Sequence, residues 1–129
     1  MSDLERGYAI FRKIFGDALG SHLADQFSGP AGGFNHTVMS RIAPEIWERN
    51  NVDIRTKVLC AIGLFTAIGR DEVKLFMRAA MIHGCSRAQI EDVLLLAGLE
   101  SGFPNAAAAA RLLDQAEEEQ RRFEADHGR

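Results

Sequence analysis

Residues Arg41 to Gly84 read RIAPEIWERNNVDIRTKVLCAIGLFTAIGRDEVKLFMRAAMIHG. A tryptophan-bearing segment leads into an almost wholly apolar run, then a tight turn, then a second helical pattern charged on one side. Val52, Ile54, Val58, Leu59, Ile62, Leu64, Phe65 and Ile68 carry the first run. Its early part follows helical spacing, and from Val58 it is apolar nearly all round. A helix of that kind is buried on most sides, in a core or in a subunit interface. It is not a membrane span. Asp53, Arg55 and Lys57 lie in its first turns, and the uncharged stretch to Gly69 falls short of the roughly 20 residues a bilayer needs.

Outward from this stretch the pattern stays helical. Asp3 to Phe15 is amphipathic, with Leu4, Tyr8, Ile10, Phe11 and Ile14 on one face. Asp17 to Phe27 is a shorter helical segment. Ser28 to Gly33, SGPAGG, reads as a loop. It is a plain linker or a lid over a pocket. Phe34 to Ile42 reads as a helix capped by Asn35 or Thr37. Pro44 disfavours a helical Ala43, so a break is expected there, with a new turn opened by the proline. Asp53 suits the N-cap of the central helix. Asp71 and Glu72 suit the start of the next, which runs to His83. Gly84 is the expected stop, and Ser86 with Gln89 spells a capping box for another helix. Pro104 opens the last one. Its alanines, Ala106 to Ala110, favour helix and let a neighbour approach closely. The end, EEEQRRFEADHGR, reads as a solvated, frayed tail.

No stretch alternates with period two over strand length. The fold class is therefore all-α, a helical bundle around an antiparallel helix hairpin. At 129 residues the chain is one domain, able to bury a core without staples. Within it, 1–33 holds N-terminal helices and the loop, 34–116 the core, and 117–129 the charged tail. A net charge of −3 and no basic cluster argue against nucleic acid. The N-terminus lacks an apolar leader, so a cytoplasmic location is expected. Cys60 reads as a core residue and Cys85 as partly exposed. They form neither a CxxC nor a zinc spacing, and no cluster has metal-ligand spacing.

The motifs resemble those of the carboxymuconolactone decarboxylase family, which includes the AhpD-like alkylhydroperoxidases. They are EIW (Glu45 to Trp47), V-D-x-R-T (Val52 to Thr56) and A-x-G-R (Ala67 to Arg70). E-V-x-x-x-x-R-A-A (Glu72 to Ala80), G-x-S-x-x-x-I-x-D-V-L-L (Gly84 to Leu95) and G-F-P-x-A-x-A-A (Gly102 to Ala109) follow. The resemblance runs from about Phe34 to Ala116 and is closer to the γ-carboxymuconolactone decarboxylase branch. It implies an AhpD-like fold that assembles as a ring of copies, a trimer or hexamer. It implies a small lactone or carboxylate substrate, a role in aromatic compound catabolism, and no membrane partner. The sequence departs from both branches. The peroxidase CxxC is missing, its neighbourhood holding Gly69, Glu72 and Phe76, so thiol peroxide reduction by that route is excluded. Phe76 also stands where the decarboxylase branch carries a histidine, which points to a shifted substrate.

Decarboxylation of a lactone acid leaves a dienolate-like carbanion. With the ring carbonyl polarised, the step needs no metal or organic cofactor. It needs a cation for the carboxylate, a donor near the growing oxyanion, and an acid to return a proton. Arg55 and Arg41 suit the first task through their bidentate forks. His36, His83 and Glu45 are the groups that move a proton, their pKa values tunable toward neutrality. Trp47, Glu72, Phe76 and Arg78 complete the expected substrate-binding set. Each has a plainer reading as a salt bridge, a helix-end charge or a packed ring. The alternative for the whole chain is a non-catalytic ligand-binding or assembly protein on the same scaffold.

Overall fold

Gly16, at φ 83°, is the hinge between the first two helices, a conformation that a side chain would strain. The computed structural model describes residues 1–128. Among them are eight α-helices and no strand. They are α1 Asp3–Phe15, α2 Asp17–Phe27, α3 Phe34–Thr37, α4 Ala43–Trp47, α5 Ile54–Ala67, α6 Val73–Ile82, α7 Arg87–Ser101 and α8 Phe103–His127. A π-helical turn, Val38–Ile42, joins α3 to α4. The described residues form two compact units, residues 1–54 with 127–128 and residues 55–126. No helix among the described residues is long and apolar enough to cross a membrane.

In the first unit, Ser2 caps α1, its hydroxyl accepting from Glu5 N at 3.1 Å. Asp3 and Glu5 lie in the first turn and Arg12 and Lys13 in the last, matching the helix dipole. Gly7, Ile10, Ile14 and Phe15 form its buried face. Arg6 grips Glu48 at 2.8 Å, and the Tyr8 hydroxyl donates to Asp25 at 2.5 Å. Two glycines let backbones meet. A Cβ on Gly7 would stand 2.5 Å from the Met39 carbonyl oxygen, and one on Gly20 2.5 Å from that of Phe11.

Two expectations fail in this unit. Gly33, not Asn35 or Thr37, occupies the N-cap of α3. The Thr37 hydroxyl instead donates backward to the Gly33 carbonyl at 2.8 Å. The chain also does not break before Pro44: Ala43 stays helical at φ −60°, ψ −45°. The π turn supplies the reason. Ala43 N reaches the Val38 carbonyl, one residue further back than α-helical register. The wider turn carries the backbone past a ring that would strike an α-helical carbonyl. Glu45, a candidate proton carrier, lies in the first turn of α4 and is exposed.

In the second unit, α5 buries one stripe, Val58, Ile62 and Thr66. Cys60, two residues past Val58, falls on the other side and is exposed, so its expected core position is wrong. Cys85 is buried, not partly exposed, and burial pushes its thiol up despite Arg55 nearby. Gly84 stops α6 at φ 80°. Ser86 and Gln89 then form the expected capping box: Ser86 Oγ accepts from Gln89 N at 3.1 Å, and Gln89 Oε1 from Ser86 N at 2.9 Å. Helix α8 starts against α5, with Asn105 Nδ2 donating to the Ala67 carbonyl at 3.0 Å. It then runs antiparallel to α7. Gly98 lies against Phe103 and Ala106, while Arg87 binds Asp114 at 2.8 Å and also Glu117.

The expected frayed tail is helix up to His127. Glu118 takes hydrogen bonds from Arg121 and Arg122, which hold its carboxyl at about 2. Gln120 is buried, while Arg121, Arg122 and residues 125–128 are exposed, so the tail is helical and docked at Gln120 but solvated beyond it, as expected.

Gly20→Ala tests the backbone crossing of α1 and α2. At an open helix position the change stabilises by roughly 1 kcal/mol. Here the new methyl meets backbone, and overpacking of this kind costs about 1–3 kcal/mol. Urea unfolding is expected to show a net loss, and a stabilised variant contradicts the crossing.

Candidate functional site

The expected site residues divide between the two units. In the first, His36, Arg41 and Glu45 lie on and beside the π turn. π turns inside helices occur frequently at functional places. Gly32 N donates to His36 Nδ1 at 3.4 Å, which leaves the proton of the neutral ring on Nε2. The half-buried ring therefore follows the SGPAGG loop, whose backbone orients it. Arg41 is largely solvent-facing, its nearest acid being Asp3 at 3.7 Å. Pro44 is buried, and the half-buried Trp47 closes α4.

In the second unit each expected residue has a partner in the fold. Arg55 Nε donates to the His83 carbonyl at 3.3 Å, and its Nη2 to Gln89 Oε1 at 3.0 Å. It thus ties the start of α5 to the turn between α6 and α7. The half-buried His83 occupies the C-cap of α6. Glu72, at the N-cap of α6, holds Arg70 at 2.7 Å, which keeps its carboxyl below the usual range. Phe76 stacks on Phe65, ring centroids 5.4 Å apart and 27° from parallel. Arg78 is 9% exposed. Its Nε donates to Gln120 Oε1 at 2.9 Å, Glu119 lies 3.6 Å from Nη1, and the Phe123 ring centroid is 5.6 Å away. Burial draws this guanidinium below its ordinary value and Glu119 opposes the shift.

A cleft of about 470 Å³, within the range of small-molecule sites, lies between α7 and α8. Leu94, Leu95, Phe103 and alanines form its walls, and Glu91 and Asp92 are its charged side chains. Sequence reading missed it. The signal present was the alanine run, which leaves the α8 wall low. Two carboxylates in its lining disfavour a carboxylate ligand in this cleft. Among the described residues, no group of three or more His, Cys, Asp or Glu is placed to hold a metal ion.

Arg78→Ala is expected to act through the fold. It strips the buried Gln120 carbonyl oxygen of its charged donor and removes the link to α8. Leaving such a group unpaired, with the lost contact, costs about 2–4 kcal/mol. Chemical denaturation measures this. An unchanged midpoint combined with weakened ligand binding assigns Arg78 to a ligand instead.

Comparison with known proteins adds to this geometry. A protein of Acinetobacter baylyi described as 4-carboxymuconolactone decarboxylase is 28% identical over 72 residues. The aligned stretch covers 55% of this chain and 54% of that protein, so the match spans about half the length of the relative. The family model described as Carboxymuconolactone decarboxylase matches residues 34–115, from the start of α3 into α8. With well over half of its sequence matched, this chain belongs to the carboxymuconolactone decarboxylase family.

Proposed function

We propose that this chain is a cofactor-independent lyase that decarboxylates or isomerises a small carboxylated lactone, working as an assembly of copies. The family match through residues 34–115 carries this reading, because it takes in the whole π-turn segment with His36, Arg41 and Glu45. The description of the relative supports the reaction class. Antiparallel pairing of α5 and α6 is supported at both ends: Arg55 meets the His83 carbonyl, and Phe65 stacks on Phe76.

In decarboxylation, the bond between ring carbon and carboxylate breaks. Carbon dioxide leaves, and the electron pair spreads into the ring carbonyl as a dienolate. A proton then returns to carbon. Arg41 is the cation open to a substrate carboxylate. His36 donates a hydrogen bond from Nε2–H to the dienolate oxygen, since Nδ1 accepts from Gly32. Glu45, four residues after Arg41 and exposed, is the acid that returns the proton to carbon. Arg55, with Nε and Nη2 engaged, positions α5 against the α6–α7 turn and keeps further N–H groups for ligand. Glu72 and His83 shape the ends of α6.

One observation favours the non-catalytic alternative. Phe76 packs on Phe65 where the decarboxylase branch carries an imidazole, so that place offers no proton carrier.

Incubation with 4-carboxymuconolactone and related lactone acids, followed in the ultraviolet, separates the two. Turnover is expected, and Arg41→Ala is expected to lower kcat/KM by about 10²-fold with helicity retained. Binding without turnover in the unmodified protein supports the alternative. Turnover indifferent to Arg41→Ala moves the anion site elsewhere.

A further inference from the structure

We propose that the cleft between α7 and α8 is the contact face for a second copy of this chain, joined about a twofold axis by two Asp92–Arg111 ion pairs. The inference rests on the assembly reading above and names the surface and the charges that carry it.

The face is apolar and uncovered. Leu95 is 60% exposed, Leu99 69% and Phe103 55%, all on one helix pair. Isolated surface leucines need no explanation, but a clustered set beside a concave wall marks an interaction surface. The wall on the α8 side is alanine: Ala106, Ala107 and Ala110. Small side chains there leave room for the leucines of a neighbour.

The charges identify that neighbour. Asp92 lines the cleft on α7, and Arg111 follows Ala110 on α8. Both are exposed, and among the described residues neither side chain forms an ion pair or hydrogen bond within the chain. Arg87, by contrast, is saturated by Asp114, Glu117 and Glu91. The patch therefore carries one unmatched charge of each sign, one on each helix. An isologous interface requires such self-complementarity, since every contact occurs twice.

The register agrees. Gly98 lies beside Ala106, and Arg87 beside Asp114 and Glu117. Interpolation along the antiparallel pair sets Asp92 level with Arg111. A twofold axis parallel to the two helices lays the partner's α8 over α7 at the same level. Asp92 then meets the partner's Arg111, and the reverse pair forms across the axis. Leu95 and Leu99 of each copy come down on the alanines of the other. A carboxylated ligand fits this cleft poorly, and a cationic ligand would leave Arg111 unmatched.

Sedimentation velocity on the full chain, from low to high micromolar, tests this with Asp92→Arg, Arg111→Asp and the double exchange. The side chains are exposed, so helicity by circular dichroism is expected to be unchanged. Each single reversal is expected to weaken association at least tenfold, and the double exchange to restore it to within about threefold. A 14.2 kDa species alone at every concentration of unmodified protein overturns the assembly reading and this inference together. An assembly indifferent to both single reversals overturns this inference alone and leaves the cleft to another ligand. Single reversals that weaken association without rescue by the double also overturn the pairing.

Discussion

Helix α5 is apolar almost all round, yet its own chain covers one stripe of it. Val58, Ile62 and Thr66 are buried, while Leu64 at 68% and Ile68 at 66% face outward. Helix α7 repeats the pattern with Leu95, Leu96 and Leu99. Burying each such side chain is worth roughly 1.5–3 kcal/mol, so this set represents on the order of 10 kcal/mol per copy. Association costs roughly 4–15 kcal/mol. With two copies contributing, the gain is of the size that the proposed assembly requires. Much of the surface chemistry of this chain follows from that imbalance.

The distribution of charge follows a different logic in each unit. In residues 55–126 the cations are mostly absorbed, Arg111 excepted. Arg78 is buried on Gln120, Arg87 is shared by three acids, and Lys74 holds Glu119 at 2.8 Å. These contacts fasten α8 to α6 and α7. In the first unit Arg41 stays largely open, one residue before the end of a π turn that His36 and Glu45 flank in the chain. The residues that look most like chemistry are thus those the fold does not consume.

Much of the fold was legible because local rules and tertiary packing agree. Helices α1 and α2 begin and end where amphipathic spacing and Gly16 require. The capping box of α7 forms as its S-x-x-Q spelling demands. Legibility failed where a local rule met a longer-range contact. Pro44 should break a helix, but a shift to π register lets the chain continue. The charged tail should fray, but Arg78 reaches Gln120 and docks it. Nothing within α8 announces that partner, since it lies 42 residues away. Cys60 illustrates a third kind of failure: composition says apolar, while only rotation about the helix says which side is covered. Of the candidate site, residue types were legible and engagement was not. Arg55 and Arg41 look alike in sequence, yet one braces a turn and the other is open.

Thermal unfolding as a function of protein concentration bears most directly on the claim that copies of this chain cover its surplus apolar surface. Folding coupled to assembly makes the midpoint rise with concentration, by several degrees over a roughly 100-fold range. That rise is the predicted result. A midpoint that stays constant across the range means that the uncovered leucines of α5 and α7 face solvent in the stable form, and contradicts the account.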